Sequence, residues 1–374
     1  MITEITARSI LRKYKKIDSW FVTRFGINLY RGCAHDCSYC DGRAEQYRVE
    51  GDYARDIQVK TNAVELLHRE LDPSRRRKPL PRSFMVLGGG VCDAYQPVEE
   101  RYRLARGALQ CIHSFGYPVH VLTKSCLVER DLDILRAIND RSRAIVSFSF
   151  STVDDEVGRI VEPGVPAPSR RLATIRKCKE AGLSCGMFLL PVIPFVTDGP
   201  AMIRESLEKG RDAGIDFVIF GAMTLKEGRQ REHFMRMLQR RFPDALVHYD
   251  IVYQGGSRWG EPASDYSASL NELAGRTASA LTLPTRIPPS LFADILSVND
   301  RVVVILEQLD YLLRMRNRTS PYGYAAWSLS KVTEPIATLP RHDLRRIKGV
   351  GPVTARTVRE IVDTGTCRLY ERLL

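Results

Sequence analysis

The sequence predicts an α/β protein, an open (βα)6 partial barrel followed by a small α-helical module. Three features carry that expectation. Between Phe25 and Arg241, short apolar runs rich in β-formers alternate with amphipathic stretches of roughly ten to fifteen residues. Six such units in series argue for a parallel sheet, and they are too few to close an eight-stranded barrel. From about residue 336 onward the pattern becomes helix, tight glycine turn, helix.

Taken in order, the strands are expected at Gly26–Tyr30, Phe84–Leu87, Val119–Thr123, Ala144–Phe150, Ser184–Leu190 and Phe217–Phe220. The helices between them are expected at Asn62–Leu71, Val98–His113, Asp131–Asn139, Ser169–Ala181, Pro200–Ala213 and Arg229–Arg241. The expected organisation is a basic amino-terminal arm (1–25), the barrel (26–255), a helical extension with a linker (256–335) and the terminal module (336–374). The arm, with Arg12-Lys13-Tyr14-Lys15-Lys16, reads as a cover for a barrel edge, a phosphate contact or a solvated face. Pro284 to Pro289 reads as a linker, and Leu291–Arg314 as an amphipathic helix that Asn299-Asp300 would interrupt. The segment from Tyr253 to Gly260 reads as a turn or as a substrate loop in which Arg258 and Trp259 stack on a base. No internal repeat or low-complexity tract is present.

Composition narrows the function. With 374 residues, 44% of them apolar, the chain can build a large core, yet it has no apolar run long enough to span a membrane. Met1 to Trp20 does not read as a signal peptide. The nine cysteines are an odd set without the spacing of a disulfide framework, which suits a reducing cytoplasm. A formal charge of +12, mostly from arginine, favours a polyanionic partner such as nucleic acid; plain solubility is the alternative.

Three of the cysteines cluster. Tyr30-Arg31-Gly32-Cys33-Ala34-His35-Asp36-Cys37-Ser38-Tyr39-Cys40 places them at C-x3-C-x2-C, after the first predicted strand and so on the carboxyl rim where α/β sheets keep their chemistry. Three soft donors in one loop suit an iron–sulfur cluster with one open iron, or zinc with His35 as fourth ligand.

With Tyr39 before the last cysteine, the loop resembles the signature of the radical S-adenosylmethionine (SAM) superfamily. The resemblance implies a [4Fe–4S] cluster on Cys33, Cys37 and Cys40. SAM would bind at the open iron and be cleaved to a 5′-deoxyadenosyl radical, with an electron donor such as flavodoxin or ferredoxin. Further segments resemble spore photoproduct lyase and its relatives, enzymes that reverse a thymine dimer in DNA. These are Leu122-Thr123-Lys124, Phe150-Ser151, Glu162-Pro163-Gly164, Arg171-Leu172, Ala181-Gly182 and Pro191, together with Cys92-Asp93-Ala94-Tyr95-Gln96-Pro97. Carried over, Tyr39 would lie against the adenine, and Asp93 or the backbone beside it would take the SAM amino group. Lys124 and Ser151 would hold the carboxylate and ribose side. Gly88-Gly89-Gly90 reads as a close approach to SAM or as a tight turn. The lyase's hydrogen-donating cysteine falls at Gly90 here. Cys92, two residues on, is left as either a hydrogen donor or a packing residue. The lyase's tyrosine after the last cluster cysteine is Asp41 here, so the lyase's own reaction does not carry over directly.

Leu344-Arg345-Arg346-Ile347-Lys348-Gly349-Val350-Gly351-Pro352-Val353-Thr354-Ala355-Arg356 resembles the helix-hairpin-helix of DNA repair proteins. Gly349 and Gly351 would let the hairpin turn, Pro352 opens the second helix, and Lys348 and Arg356 flank it, an arrangement suited to one phosphate and to no particular base. A protein-binding helical hairpin, or one that only caps the barrel, is the alternative. The expected function is a radical SAM enzyme acting on DNA in a lyase-like repair or modification. The alternatives are RNA or a small molecule as substrate, or a non-catalytic metal-centred DNA-binding protein.

Overall fold

The computed structural model describes residues 1–75, 78–89, 91–254 and 258–374. Its ten strands are β1 (Ile2–Ile5), β2 (Leu11–Asp18), β3 (Thr23–Ile27), β4 (Tyr30–Arg31), β5 (Ile57–Lys60), β6 (Phe84–Leu87), β7 (Val119–Thr123), β8 (Ala144–Phe150), β9 (Ser184–Val192) and β10 (Phe217–Ala222). The main sheet runs β10-β9-β8-β7-β6-β3-β2. The six strands from β3 to β10 in that sheet are parallel and in chain order, the open (βα)6 arrangement. A small second sheet, β1-β5-β4, stands beside the cysteine loop.

Alternation along each strand divides the side chains. Ala144, Val146, Phe148 and Phe150 of β8 join the core beneath the outer helices, whereas Ile145 points the other way, into a second core with Phe84, Phe188, Phe217 and Ile219. The outer layer comprises α1 (Ala63–Leu71), α2 (Glu99–Tyr102), α3 (Leu104–Phe115), α4 (Leu132–Arg141), α5 (Asp155–Val161), α6 (Pro168–Glu180), α7 (Pro200–Ala213) and α8 (Arg229–Arg241). The turns α9 (Pro243–Leu246) and α10 (Tyr249–Val252) follow, and then α11 (Ser264–Ala280).

Three expectations are corrected here, and the arm covers a barrel edge as one of its readings expected. The first barrel strand is Thr23–Ile27, because Asn28 Oδ1 accepts the Tyr30 amide at 3.2 Å and turns the chain off the sheet. The stretch expected as one helix over Val98–His113 breaks at Arg103, which has φ 52°. Buried Glu99 causes the break by accepting the Ala105 amide at 3.0 Å, capping α3 from outside. The basic arm contains β2, an edge strand antiparallel to β3; it buries Leu11 and Ile17 and leaves Lys13, Lys15 and Lys16 exposed, a pattern that protects an edge from further pairing. The proline segment 284–289 is not a free tether. Pro284 accepts the Val218 amide at 2.8 Å, and buried Arg286 lies 4.7 Å from the Trp20 ring centre and 3.3 Å from that of Tyr311.

The last part of the chain is helical: α12 (Val298–Arg314), α13 (Tyr322–Leu329), α14 (Arg341–Leu344), α15 (Pro352–Thr364) and α16 (Arg368–Leu373). Asn299-Asp300 opens α12 rather than breaking it. Ser297 caps the Asp300 amide, and the Asp300 carboxylate in the first turn suits the helix dipole. These helices share one apolar core with Phe84, Ile145 and Phe217, which stand at the amino-terminal ends of their strands. Arg143, just before β8, binds Ser290 O at 2.8 Å and Asp294 at 2.9 Å. The helical module therefore closes the amino-terminal end of the barrel, opposite the cysteine loop. Among the described residues, no helix is long and apolar enough to cross a membrane.

Arg24 holds this junction through a paired contact to Asp300, with distances of 2.8 and 2.5 Å. Asp300→Ala leaves a half-buried guanidinium without its carboxylate. It is expected to lower stability by about 3 kcal/mol, read as a fall in the chemical denaturation midpoint; an unchanged midpoint counts against this contact as the junction.

Candidate functional site

The cysteine loop leaves β4 and returns across the carboxyl ends of the strands. Its backbone is tied down at several points: Cys33 N to Tyr53 O at 2.9 Å, Ala34 N to Gln96 Oε1 at 2.9 Å, Ser38 N to Val161 O at 2.9 Å, and Gly164 N to His35 O at 3.0 Å. Cys33 and Cys37 are buried, Cys40 is partly so, and all three are free thiols. Burial pushes each thiol above its ordinary range, with Asp93 and the neighbouring sulfurs adding to the rise at Cys33. Such crowded sulfurs become thiolates readily only beside positive charge, which a bound cluster supplies. His35 is not spare for zinc, since its Nδ1 faces Gly164 O at 3.1 Å and its Nε2 faces Asp93 at 3.2 Å. Among the described residues, no three His, Cys, Asp or Glu side chains form a site for a single metal ion.

Asp93 is engaged on every side. Its carboxylate accepts from Thr123 Oγ1 at 2.8 Å, the Lys124 amide at 2.7 Å and the Tyr95 amide at 2.8 Å, besides facing His35. Burial alone would raise its pKa, but His35 and the two amides bring it below the ordinary carboxylate range. The side chain predicted to take an amino group thus ties the cysteine loop to β7. Of the glycine run, Gly88 has φ 91°, and a Cβ there would lie 2.1 Å from Leu122 O, so strand packing requires glycine; Gly90 lies outside the described residues.

Lys124, Ser151 and Tyr39 converge on a residue that the site prediction omitted. Buried Glu162 accepts from Lys124 Nζ at 2.9 Å, Ser151 Oγ at 3.1 Å, Arg171 at 2.5 Å and the Tyr39 hydroxyl. Lys124 also donates to Ser149 at 2.9 Å and lies 5.5 Å from the Tyr39 ring centre. Burial works against ionisation of Glu162, yet Arg171 and then Lys124 prevail, and the pKa falls to about 2. Both Glu162 and Arg171 stand in segments that carried the family resemblance; the sequence shows no reason to pair them, because the loop after Glu162 and the first turn of α6 lie between them. Cys92 lies beside Cys33, Cys40 and Tyr53, with its Sγ 3.1 Å from Asn28 Oδ1 and 3.3 Å from Tyr30 O.

A profile described as the radical SAM superfamily matches residues 27–207, and one described as a helix-hairpin-helix domain matches 297–367. The chain belongs to the radical SAM superfamily. An uncharacterized protein of Mycobacterium tuberculosis is 32% identical over 68% of this chain and 74% of its own length. An uncharacterized protein of Methanocaldococcus jannaschii is 26% identical over 61% of this chain and 79% of its own. Spore photoproduct lyase complexed with dinucleoside spore photoproduct superposes with TM-score 0.54 and 17% identity, over 75% of this chain and 79% of the other, so the two share a fold. As a radical SAM enzyme the chain is one whose family implies a [4Fe–4S] cluster and SAM, and three free thiols gathered in one loop are the donor type such a cluster takes.

The helix-hairpin-helix gathers the other predicted residues. Gly349 has φ 84°, and a Cβ on it would lie 2.5 Å from the Tyr324 ring. Gly351 has φ −81°, with open space beyond it, so the turn needs only the first glycine to be glycine. Gly351 caps α15 with no side chain across its amino-terminal amides, and Lys348 and Arg356 are exposed on either side. Lys348, Gly349, Gly351 and Arg356 thus stand together, at the opposite end of the barrel from the cysteines. Trp259 is exposed, with Arg258 5.4 Å from its ring centre; Gly255, Gly256 and Ser257 of that loop lie outside the described residues.

Because Glu162 is held ionised, its stabilisation is complete above its ordinary pKa of 4.5 and is lost as pH falls toward about 2. Glu162→Gln in the apoprotein is expected to cost about 3 kcal/mol at neutral pH. The difference from wild type should narrow as pH drops through that window, measured by urea denaturation at a series of pH values; a pH-independent difference contradicts an ionised Glu162.

Proposed function

We propose that this radical SAM enzyme acts on DNA, in a repair or modification reaction of the spore-photoproduct-lyase kind. The observation that carries the reading is the helix-hairpin-helix, whose open glycine turn and uncapped helix end are set among Arg345, Arg346, Lys348 and Arg356. The lyase fold neighbour, whose complex holds a dinucleoside lesion, supports the same substrate class.

In this reading Cys33, Cys37 and Cys40 would hold the cluster, which would pass to SAM the cleaving electron taken from a donor such as flavodoxin or ferredoxin. The rest of the work falls to side chains of the chain. Asp93, through His35 and the Lys124 amide, fixes the cysteine loop against β7. Lys124 is the movable cation of the rim, because Arg171 still neutralises Glu162 when the lysine turns to a ligand carboxylate. Tyr39 and Ser151, both anchored on Glu162, shape the adenine and ribose side. Cys92 stands beside the loop, where its weak S–H bond suits hydrogen return to a product radical. Hairpin and rim are separated by the barrel's height, roughly 20 Å for strands of this length. A duplex held at the hairpin must therefore run along the barrel wall before a base leaves the stack at the rim.

Anaerobic protein with dithionite and SAM, incubated with ultraviolet-irradiated DNA, should convert a lesion in a SAM-dependent way, read by mass spectrometry. Unchanged DNA beside active SAM cleavage rejects the DNA substrate. Cys33→Ala should abolish both the brown colour and turnover, whereas colourless wild-type protein containing one zinc rejects the cluster. Lys348→Glu and Gly351→Ala should weaken duplex binding, the former also lowering the salt slope of log K by about 1.

A further inference from the structure

Beside the hairpin, α13 exposes two large aromatic rings. Tyr324 and Trp327 sit one helical turn apart, with ring centres 5.5 Å apart and planes inclined by 23°. They are 47% and 46% exposed, while Tyr322, Ala325, Ala326 and Leu329 on the other face of the helix are buried. Core packing does not require aromatic residues at either exposed position. Each ring has a cation at hand: Lys331 Nζ lies 3.1 Å from the Trp327 ring centre and Lys348 Nζ 6.0 Å from that of Tyr324. Tyr324 also packs on Gly349, so the aromatic pair and the hairpin turn form one continuous surface.

We propose that Tyr324 and Trp327 form a stacking platform for an unpaired base of a DNA strand, whose neighbouring phosphate rests on the Gly349–Gly351 turn. The choice of occupant follows from charge. Lys331 and Lys348 lie against the rings, and the stretch 331–356 adds Arg341, Arg345, Arg346 and Arg356 against only Glu334 and Asp343, which disfavours a basic or neutral peptide and favours a polyanion. Among polyanions, exposed rings pick out those with a flat apolar face to offer, and an unpaired base has one where a paired base inside a duplex does not. Lysines at both ends of the ring pair match the phosphates on either side of that base. The platform rests on the DNA-directed reading above and sharpens it: the preferred substrate is DNA carrying an unpaired or opened segment beside duplex.

The test uses the full-length protein and fluorescence anisotropy with two probes, a single-stranded oligonucleotide and the matching duplex. Trp327→Ala and Tyr324→Ala should each weaken single-strand binding about tenfold, with less than about a twofold effect on duplex. Trp327→Phe keeps a ring, so it should retain single-strand affinity while losing the tryptophan quenching expected of wild type on binding. Single-strand affinity unchanged in both alanine variants overturns the platform. So does equal loss on both probes, or a wild-type dimer that the alanine variants break apart in sedimentation, since the pair would then be a protein interface. Lys348→Glu separates the two levels. If it weakens duplex binding while the alanine variants leave single-strand binding intact, only the platform fails. If it leaves duplex binding unchanged, the DNA-directed reading fails with it.

Discussion

A single buried carboxylate organises the rim of this barrel. Glu162 receives Tyr39 from the cysteine loop, Lys124 from the end of β7, Ser151 from the end of β8 and Arg171 from α6. Four segments far apart in sequence thus meet at two oxygen atoms. Taking a carboxylate and a guanidinium out of water costs several kcal/mol for each ion, and only mutual contact with full hydrogen bonding offsets it. Arg171 also donates to Ser149 O at 2.5 Å and lies against the Phe150 ring, while its buried Nε has no hydrogen-bond partner among the described residues. The same contacts that make the charge tolerable hold the loop in register with the strands.

Asp93 does a parallel service on the other side of the loop, joining His35 to the Thr123–Lys124 strand end. Both acids are thus occupied by the protein's own donors, with Arg171 wholly buried and Lys124 keeping some solvent contact.

The cysteine loop and the helix-hairpin-helix pack on different apolar clusters of the barrel. Side chains from the barrel interior merge with those of the terminal helices, so the helix-hairpin-helix is packed onto the barrel rather than tethered to it. Arg286 lies between Trp20 and Tyr311 at this junction, in a segment whose prolines suggest a linker. Prolines restrict the backbone equally in a loose tether and in a packed crossing, so local sequence cannot separate the two.

Periodicity was enough to give the six parallel strands and most of the helices between them, several of whose spans agree to the residue, among them Phe84–Leu87, Val119–Thr123, Pro200–Ala213 and Arg229–Arg241. The reason is that alternation and helical spacing are local consequences of which face is buried. The crowding of Cys33, Cys37 and Cys40 was equally legible, because it lies within one loop. The break at Arg103 was not, since it depends on Glu99 reaching forward to cap the next helix. Nor was the engagement of Asp93, the convergence on Glu162, or the placement of the hairpin opposite the cysteines. Each of these depends on how distant segments meet, and hydrogen bonds and ion pairs across such distances leave no period in the chain. By itself, then, the sequence determined the elements, the thiol cluster and the glycine hairpin, all products of short-range chemistry. Tertiary structure alone decided which charges are buried together and which surfaces face apart, because desolvation acts on neighbours in space.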